Sequence, residues 1–271
     1  MTDAGFRPSG LLTLTTDFGL LDPFVGIMKG RILGRLPRAT LVDLTHGIPP
    51  HRPEVAGFWL ARAWTDFPAG TVHVAVVDPG VGTQRAALLA ESAGHCFLGP
   101  DNGLLAEALR GREAVFRALD PRVAEHVSGG RVSRTFHGRD LFAPLAAELA
   151  AGRLDPAEFG PATTPADPAP LPRPERTAAG AAGRVLLADR FGNLITNIGS
   201  DLLAGMAQPV AEAGGRRLPL RATYGEAAAG EALAVINAFD LVELAVREGR
   251  AEAVLGLAPG DRVRVTDGIP T

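Results

Sequence analysis

The sequence predicts an α/β chain: a mostly parallel sheet flanked by helices, then a small, mainly β second domain that is either a barrel or a sandwich. Three observations carry this. Strand-like and helix-like runs alternate from Leu11 to Ala150, the order expected when helices cover a parallel sheet. Thr71–Val77 (TVHVAVV) is a continuous apolar, β-branched run, as a strand buried on both faces requires. From Pro156 to Pro174 there are seven prolines and almost no apolar periodicity, which marks an extended connector.

The elements follow in order. Leu11–Thr16 (LLTLTT) reads as a first strand ending at Asp17-Phe18-Gly19. Phe24, Ile27, Met28, Ile32 and Leu36 recur at helical spacing after Pro23, a residue suited to a first turn. Thr40–Leu44 is a second strand leading into the Pro/His loop THGIPPHRP, and Glu54–Trp64 fits a helix packed on the sheet. The third strand, Thr71–Val77, breaks at Asp78-Pro79-Gly80, and a glycine loop returns at Arg85. Ala86–Ala90 and His95–Leu98 read as two short strands, Leu104–Leu109 as a short helix and Leu141–Ala150 as an Ala/Leu helix. Beyond the prolines the runs are short and β-like: Arg184–Ala188, Leu194–Ile198, Leu233–Ile236, Leu241–Val246 and Arg262–Val265, with Gly, Asn and Asp turns between them. The boundaries are therefore an N-terminal domain at 1–155, a connector at 156–180 and a C-terminal domain at 181–271.

Composition excludes several classes. A net charge of -3 offers no electrostatic case for nucleic acid or an anionic membrane. The single cysteine, Cys96, rules out an intrachain disulfide and a multi-cysteine metal site. No basic-then-apolar N-terminal segment and no uncharged apolar run of spanning length is evident, so a cytoplasmic location is expected. Walker, GxSxG and strand-linked GxGxxG motifs are missing, and His46 and His51 lack neighbours that would complete a zinc set, so no metal is expected.

Four acid-bearing turns each carry a glycine: TTDFG at Asp17, DPGVG at Asp78, GPDNG at Asp101 and Asn102, and DRFGN at Asp189 and Asn193. Asp, Asn and Gly make turns in any fold, yet ligands of open α/β sheets collect beyond the carboxyl ends of strands, where Asp17 and Asp78 are expected. If their strands are parallel neighbours, the two carboxylates share one sheet edge, and a carboxylate there can accept hydrogen bonds from vicinal ribose hydroxyls. His137, in TFHGRD, precedes a glycine just before a helix and can face a cleft. An arginine cannot act as a base, but its fixed charge can stabilise hydroxide; a histidine can take or relay a proton, and an aspartate can orient either. Asp78, Arg85 and His137 could thus make water a nucleophile without a metal, most readily against a cationic electrophile. The loop glycines would let the backbone approach a ligand closely.

The motifs TLTTDFG, DPFVGIMKG, VDLTHGI, VAVVDPGVGTQR, GPDNGLL, TFHGRDLFAP and DRFGNLITNI, in this order, resemble the S-adenosyl-L-methionine hydroxide adenosyltransferases, relatives of the fluorinases and chlorinases. The resemblance runs from about Leu11 to Asp261 and weakens across the prolines. It implies an N-terminal α/β domain, a C-terminal β-barrel domain and a homotrimer with active sites between subunits. The implied reaction is attack of water-derived hydroxide on ribose C5′ of S-adenosylmethionine, releasing adenosine and methionine, with no cofactor. By the same resemblance Asp78, Arg85 and His137 position and activate the water, and Asp17 holds the ribose hydroxyls. Asp189 and Asn193 match barrel-domain positions near the methionine and ribose, and Glu243 and Ala251 fall where the family lines the adenine or methionine pocket. The halogenating relatives lack the full Asp-Arg-His set, which favours hydroxide over halide. One departure is Ala238, where the family commonly has a serine; alanine has no side-chain donor. Two rival readings are a halide-using enzyme that forms 5′-halo-adenosine and a non-catalytic trimer that binds adenosine or S-adenosylmethionine.

Overall fold

In the computed structural model, which describes residues 5–166 and 171–268, the chain divides into two units, Met1–Pro170 and Leu171–Thr271. The first runs β1 (Leu11–Thr16), α1 (Phe24–Arg35), β2 (Thr40–Thr45), α2 (Pro53–Ala63), β3 (Val72–Val76), β4 (Ala87–Ser92), β5 (His95–Pro100), α3 (Leu104–Ala108), β6 (Val115–Ala118), α4 (Pro121–Ser128) and α5 (Ala143–Ala150). Its sheet has the order β2-β1-β3-β5-β4-β6. β1–β2, β1–β3 and β3–β5 are parallel, and β4 runs antiparallel to both β5 and β6, so the sheet is mostly parallel as predicted.

Side chains alternate across this sheet. Leu12, Leu14, Val72, Val74, Cys96 and Leu98 face a core closed by Met28 and Ile32 of α1 and by Leu145 and Leu149 of α5. The opposite face carries a buried polar line, in which Thr13 Oγ1 lies 2.8 Å from His73 Nδ1 and His73 Nε2 lies 3.1 Å from His95 Nδ1.

Two elements between Arg110 and Thr135 were not expected, β6 and α4. The signal for α4 was local: Asp120 caps it by accepting the Arg122 amide at 2.8 Å, and Pro121 takes its first position. The start of the proline-rich run also packs on this unit. Phe159 is fully buried in the core, and the Ala118 amide donates to Pro161 O at 3.0 Å while the Thr163 amide donates to Phe116 O at 2.9 Å. The run is therefore an added edge to β6 before it becomes a connector, and its residues 167–170 lie outside those described.

The second unit contains β7 (Glu175–Thr177), β8 (Gly180–Ala188), β9 (Leu194–Gly199), β10 (Pro209–Ala213), β11 (Arg216–Arg221), β12 (Ala232–Ile236), β13 (Leu241–Val246), α6 (Ala251–Leu255) and β14 (Arg262–Asp267). Pairing proceeds β14-β10-β11-β12-β13-β9-β8 and returns through β8–β14, which closes a seven-strand barrel; β7 adds to one side of β8. The barrel-or-sandwich alternative thus resolves to a barrel. Small and branched residues, among them Ala181, Val185, Ala211, Val242 and Val263, fill its interior. The hairpin β10–β11 was missed although its turn is Gly214-Gly215, both at positive φ (57° and 72°), the requirement of a tight hairpin.

Candidate active site

β1 and β3 are adjacent and parallel, with Thr16 opposite Val76, so Asp17 and Asp78 leave the sheet from neighbouring carboxyl ends. After Asp78 the chain turns twice: the Val81 amide donates to Asp78 O at 3.3 Å and the Thr83 amide to Gly80 O at 3.2 Å. Gly82 sits at φ 78°, and a Cβ there would lie 2.2 Å from the carbonyl oxygen of Arg134. The glycine therefore lets the loop meet the segment that carries His137; its close neighbour is the protein itself.

These turns aim Arg85 back at Asp78. Arg85 Nε donates to Asp78 Oδ1 at 2.8 Å, Nη2 donates to Asp78 Oδ2, and Nη1 donates to Ala86 O at 3.0 Å. Nη2 also lies 2.9 Å from His137 Nδ1. Both members of the ion pair are nearly enclosed, with side chains 10% and 5% exposed, so solvent screens them little. Bidentate pairing fixes the plane of the guanidinium, and the Phe142 ring lies under it, 5.5 Å from centroid to Cζ.

His137 stands at the mouth of a π-helical turn, Gly138–Phe142, that leads into α5. The sequence pattern places the helix at Leu141; the π turn begins at Gly138, where a Cβ would lie 3.1 Å from Met28 Sδ and from the Phe136 ring and 3.4 Å from the Phe18 ring, a tight fit. Burial, and then the Arg85 charge, hold the His137 imidazole below its ordinary pKa, against the opposing pull of Asp78 and Asp140. Arginine has only donors, so Nδ1 must accept from it and the proton of the neutral ring belongs on Nε2. His137 thus offers an N–H, beside a fixed cation, to an oxygen in the site.

Asp17 stands at the next strand end, half-buried, with Oδ2 accepting the His51 amide at 3.0 Å. The third acid turn is structural in its contacts: Asp101 Oδ1 accepts the Ala166 amide at 2.7 Å. Its neighbour Asn102 donates from Nδ2 to Val77 O at 2.8 Å, which pins the end of the third strand just before Asp78. The sequence marks Asn102 only as a turn residue. Among the described residues no group of three or more His, Cys, Asp or Glu side chains is disposed to hold a metal.

In the barrel unit, Asp189 closes the β8–β9 hairpin: its Oδ1 accepts the amides of Phe191 (2.8 Å) and Asn193 (2.9 Å), with Asn193 Nδ2 3.4 Å from Oδ2. Glu243 is a buried carboxylate on β13, accepting from Tyr224 Oη at 2.7 Å and from Asn237 Nδ2 at 3.1 Å. Tyr224 is absent from the predicted set, because a partner nineteen residues away leaves no local signal, whereas Asn237, six residues from Glu243, enters the sequence reading only as the residue before the Ala238 departure. Asn237 Oδ1 in turn accepts the amides of Phe239 and Leu241 (2.9 and 3.2 Å), which shapes the turn holding exposed Ala238. The methyl of Ala251 is fully buried in the barrel core, so only its backbone could meet a ligand.

Comparison with known proteins gives the family. Residues 12–160 match the model of the SAM hydroxide adenosyltransferase N-terminal domain, and residues 183–264 match that of its C-terminal domain. The (R)-S-adenosyl-L-methionine hydrolase of Salinispora tropica is 40% identical over 266 residues, covering 96% of this chain and 99% of the relative. The (R)-S-adenosyl-L-methionine hydrolase of Thermus thermophilus is 41% identical over 255 residues, 92% of this chain and 97% of its own. Fluorinases match at 24–26% identity. A crystal structure of an uncharacterized conserved protein from Thermotoga maritima superposes with a TM-score of 0.85 at 31% identity, over 94% of this chain and 99% of that one. The chain belongs to the SAM hydroxide adenosyltransferase family.

Proposed function

We propose that the protein hydrolyses S-adenosyl-L-methionine to adenosine and L-methionine, with Asp78, Arg85 and His137 holding the water-derived nucleophile. The observation that carries the reading is the near-enclosed Asp78–Arg85–His137 contact set, in a chain about 40% identical to S-adenosylmethionine hydrolases along nearly its whole length. Asp78 fixes the Arg85 guanidinium, and its positive charge together with the His137 Nε2–H lowers the cost of a hydroxide oxygen placed between them. The oxygen attacks ribose C5′, the C5′–S bond breaks with its electron pair going to sulfur, and the proton of water passes to solvent. Attack on a sulfonium neutralises charge, and methionine is a ready-made leaving group, so the step balances without a cofactor.

Asp17 holds the ribose hydroxyls in this reading. Asp189, Asn193, Glu243 and the backbone at Ala251 contribute the adenosine and methionine contacts of the barrel unit, with Tyr224 and Asn237 orienting Glu243. We assign a homotrimer with sites between subunits, on the family likeness, and a cytoplasmic location, on the sequence pattern; light scattering in solution tests the trimer. The much lower identity of the fluorinases favours hydroxide over halide as the nucleophile.

The test is turnover of S-adenosylmethionine in ¹⁸O-labelled water. Adenosine carrying the label at the 5′ oxygen is expected, with or without added chloride or fluoride. Unlabelled adenosine, a 5′-halo-adenosine product or no turnover would overturn the proposal.

A further inference from the structure

The loops that follow β1 and β2 are tied together. The Gly19 amide donates to His46 O at 2.9 Å, the Ile48 amide to Thr16 O at 3.4 Å, and the His51 amide to Asp17 Oδ2 at 3.0 Å. His51, whose amide makes that last contact, sits at φ 62°, an uncommon backbone conformation for a residue with a side chain. The Asp17 carboxylate is thus aimed by the loop of its neighbour strand.

A side-chain line underlies these ties. Thr16 Oγ1 accepts the Phe18 amide at 3.2 Å and lies 2.8 Å from His46 Nδ1. His46 Nε2 lies 3.0 Å from Asp43 Oδ1, ion-pair distance although the N–H direction is off the oxygen, and Asp43 Oδ2 accepts Lys29 Nζ at 2.6 Å. A carboxylate that close requires the proton of a neutral ring on Nε2, so Nδ1 accepts and the Thr16 hydroxyl donates. The line then reads Phe18 N–H to Thr16, Thr16 O–H to His46 and Lys29 to Asp43, with His46 Nε2 facing Asp43 Oδ1 at 3.0 Å without a hydrogen bond between them. Lys29 is the only lysine of the chain. Thr16 and His46 are buried, whereas Lys29 and Asp43 are about one-third exposed, so the line runs from the surface to the residue before Asp17.

We propose that Lys29, Asp43 and His46 are positioning residues that set the Asp17 carboxylate for the two ribose hydroxyls. The inference rests on the assignment of Asp17 to the ribose. A bland alternative, a polar line that only stabilises the loop, would affect every ligand alike.

The experiment measures adenosine and 2′,3′-dideoxyadenosine binding by calorimetry on the full chain. The proteins are wild type, Asp17→Ala, Asp43→Asn, His46→Ala and His46→Gln, with thermal unfolding alongside. Wild type should prefer adenosine, and Asp17→Ala should abolish the preference. Asp43→Asn and His46→Ala should lose about tenfold in adenosine affinity, the worth of a hydrogen bond to a charged group, and less than about twofold for the dideoxynucleoside. His46→Gln, whose amide can accept from Thr16 and donate to Asp43, should recover most of the loss. Equal loss for both nucleosides, or no loss for either, would overturn the positioning role while leaving Asp17 intact. A wild type that does not distinguish the nucleosides, or an Asp17→Ala protein that still does, would overturn the ribose assignment and the inference with it.

Discussion

Arg85 makes four contacts that depend on the shape of its head group: two to Asp78, one to Ala86 O and one to His137. A lysine ammonium is a point charge on a flexible stem and cannot meet both Asp78 oxygens while facing the imidazole. Arg85→Lys should therefore keep the charge and lose its placement. We expect kcat to fall about 100-fold or more, the scale seen when one preorganised donor to a developing charge is removed. Adenosine affinity should change less than about threefold, since the nucleoside lacks the incoming oxygen. Single-turnover rates and calorimetric titration check this, and a matched loss in rate and affinity would count against a role in holding the nucleophile. At this scale the sequence was informative. Asp78 and Arg85 stand seven residues apart across a glycine turn, close enough for local reading. Joining His137 to them, fifty-two residues beyond Arg85, rested on its residue type and its place before a helix, and the family resemblance matched the same three residues; no spacing reports the contact.

The element that carries the proposed site is the turn from Asp78 to Arg85, and its geometry depends on one glycine. A Cβ at Gly82 would meet the Arg134 carbonyl oxygen at 2.2 Å, from a φ of 78° that side chains avoid. Gly80 differs: its nearest neighbours, Arg85 Cγ and Thr83 Oγ1, would sit at an ordinary 3.5 Å. Gly82→Ala should destabilise the fold by about 1–3 kcal/mol and lower kcat, because either the loop or the His137 segment must move. Gly80→Ala should stay within about 0.5 kcal/mol of wild type. Urea unfolding and initial rates decide; equal stability of the two variants would show that the loop yields without cost. The strands around this turn were legible because an apolar run broken by Asp-Pro-Gly has one reading. The π turn after His137 was not. It begins at Gly138, which packs near Met28 and Phe18, neighbours more than a hundred residues away that no local period reports. β10 and β11 were missed for a different reason: their alternation is interrupted by Ala, Pro and Arg, so only the Gly-Gly turn betrayed them.

At the scale of the whole molecule, the face of the sheet opposite the α1–α5 core contains a histidine that the proposed chemistry does not use. His73 is fully buried on β3, bonded to Thr13 and His95 and stacked on Phe97 at 4.9 Å between centroids. Burial, with a smaller contribution from His95, pushes its pKa down from the ordinary imidazole value of 6.5 to about 3. Below pH 6.5 the unfolded chain therefore binds a proton at this position that the folded chain refuses. The fold keeps its full stability above about 6.5 and loses it progressively as pH falls toward 3, with a limiting slope of about 1.4 kcal/mol per pH unit. At pH 4.5 this one group should cost roughly 2–3 kcal/mol relative to pH 7.5. His95, also depressed by its burial, adds in the same direction. Carboxylates held low by their partners, such as Asp43 and Asp140, lose stability with acid as well, so the total pH dependence cannot identify His73. The difference between two proteins can. His73→Gln keeps an amide able to bond Thr13 and His95 but cannot take up the proton. Its unfolding free energy at pH 7.5 should fall below wild type through imperfect packing, yet the gap should narrow by roughly 2–3 kcal/mol when both are measured in urea at pH 4.5. Parallel losses in the two proteins over that window would show that His73 accepts a proton in the folded state as readily as in the unfolded one.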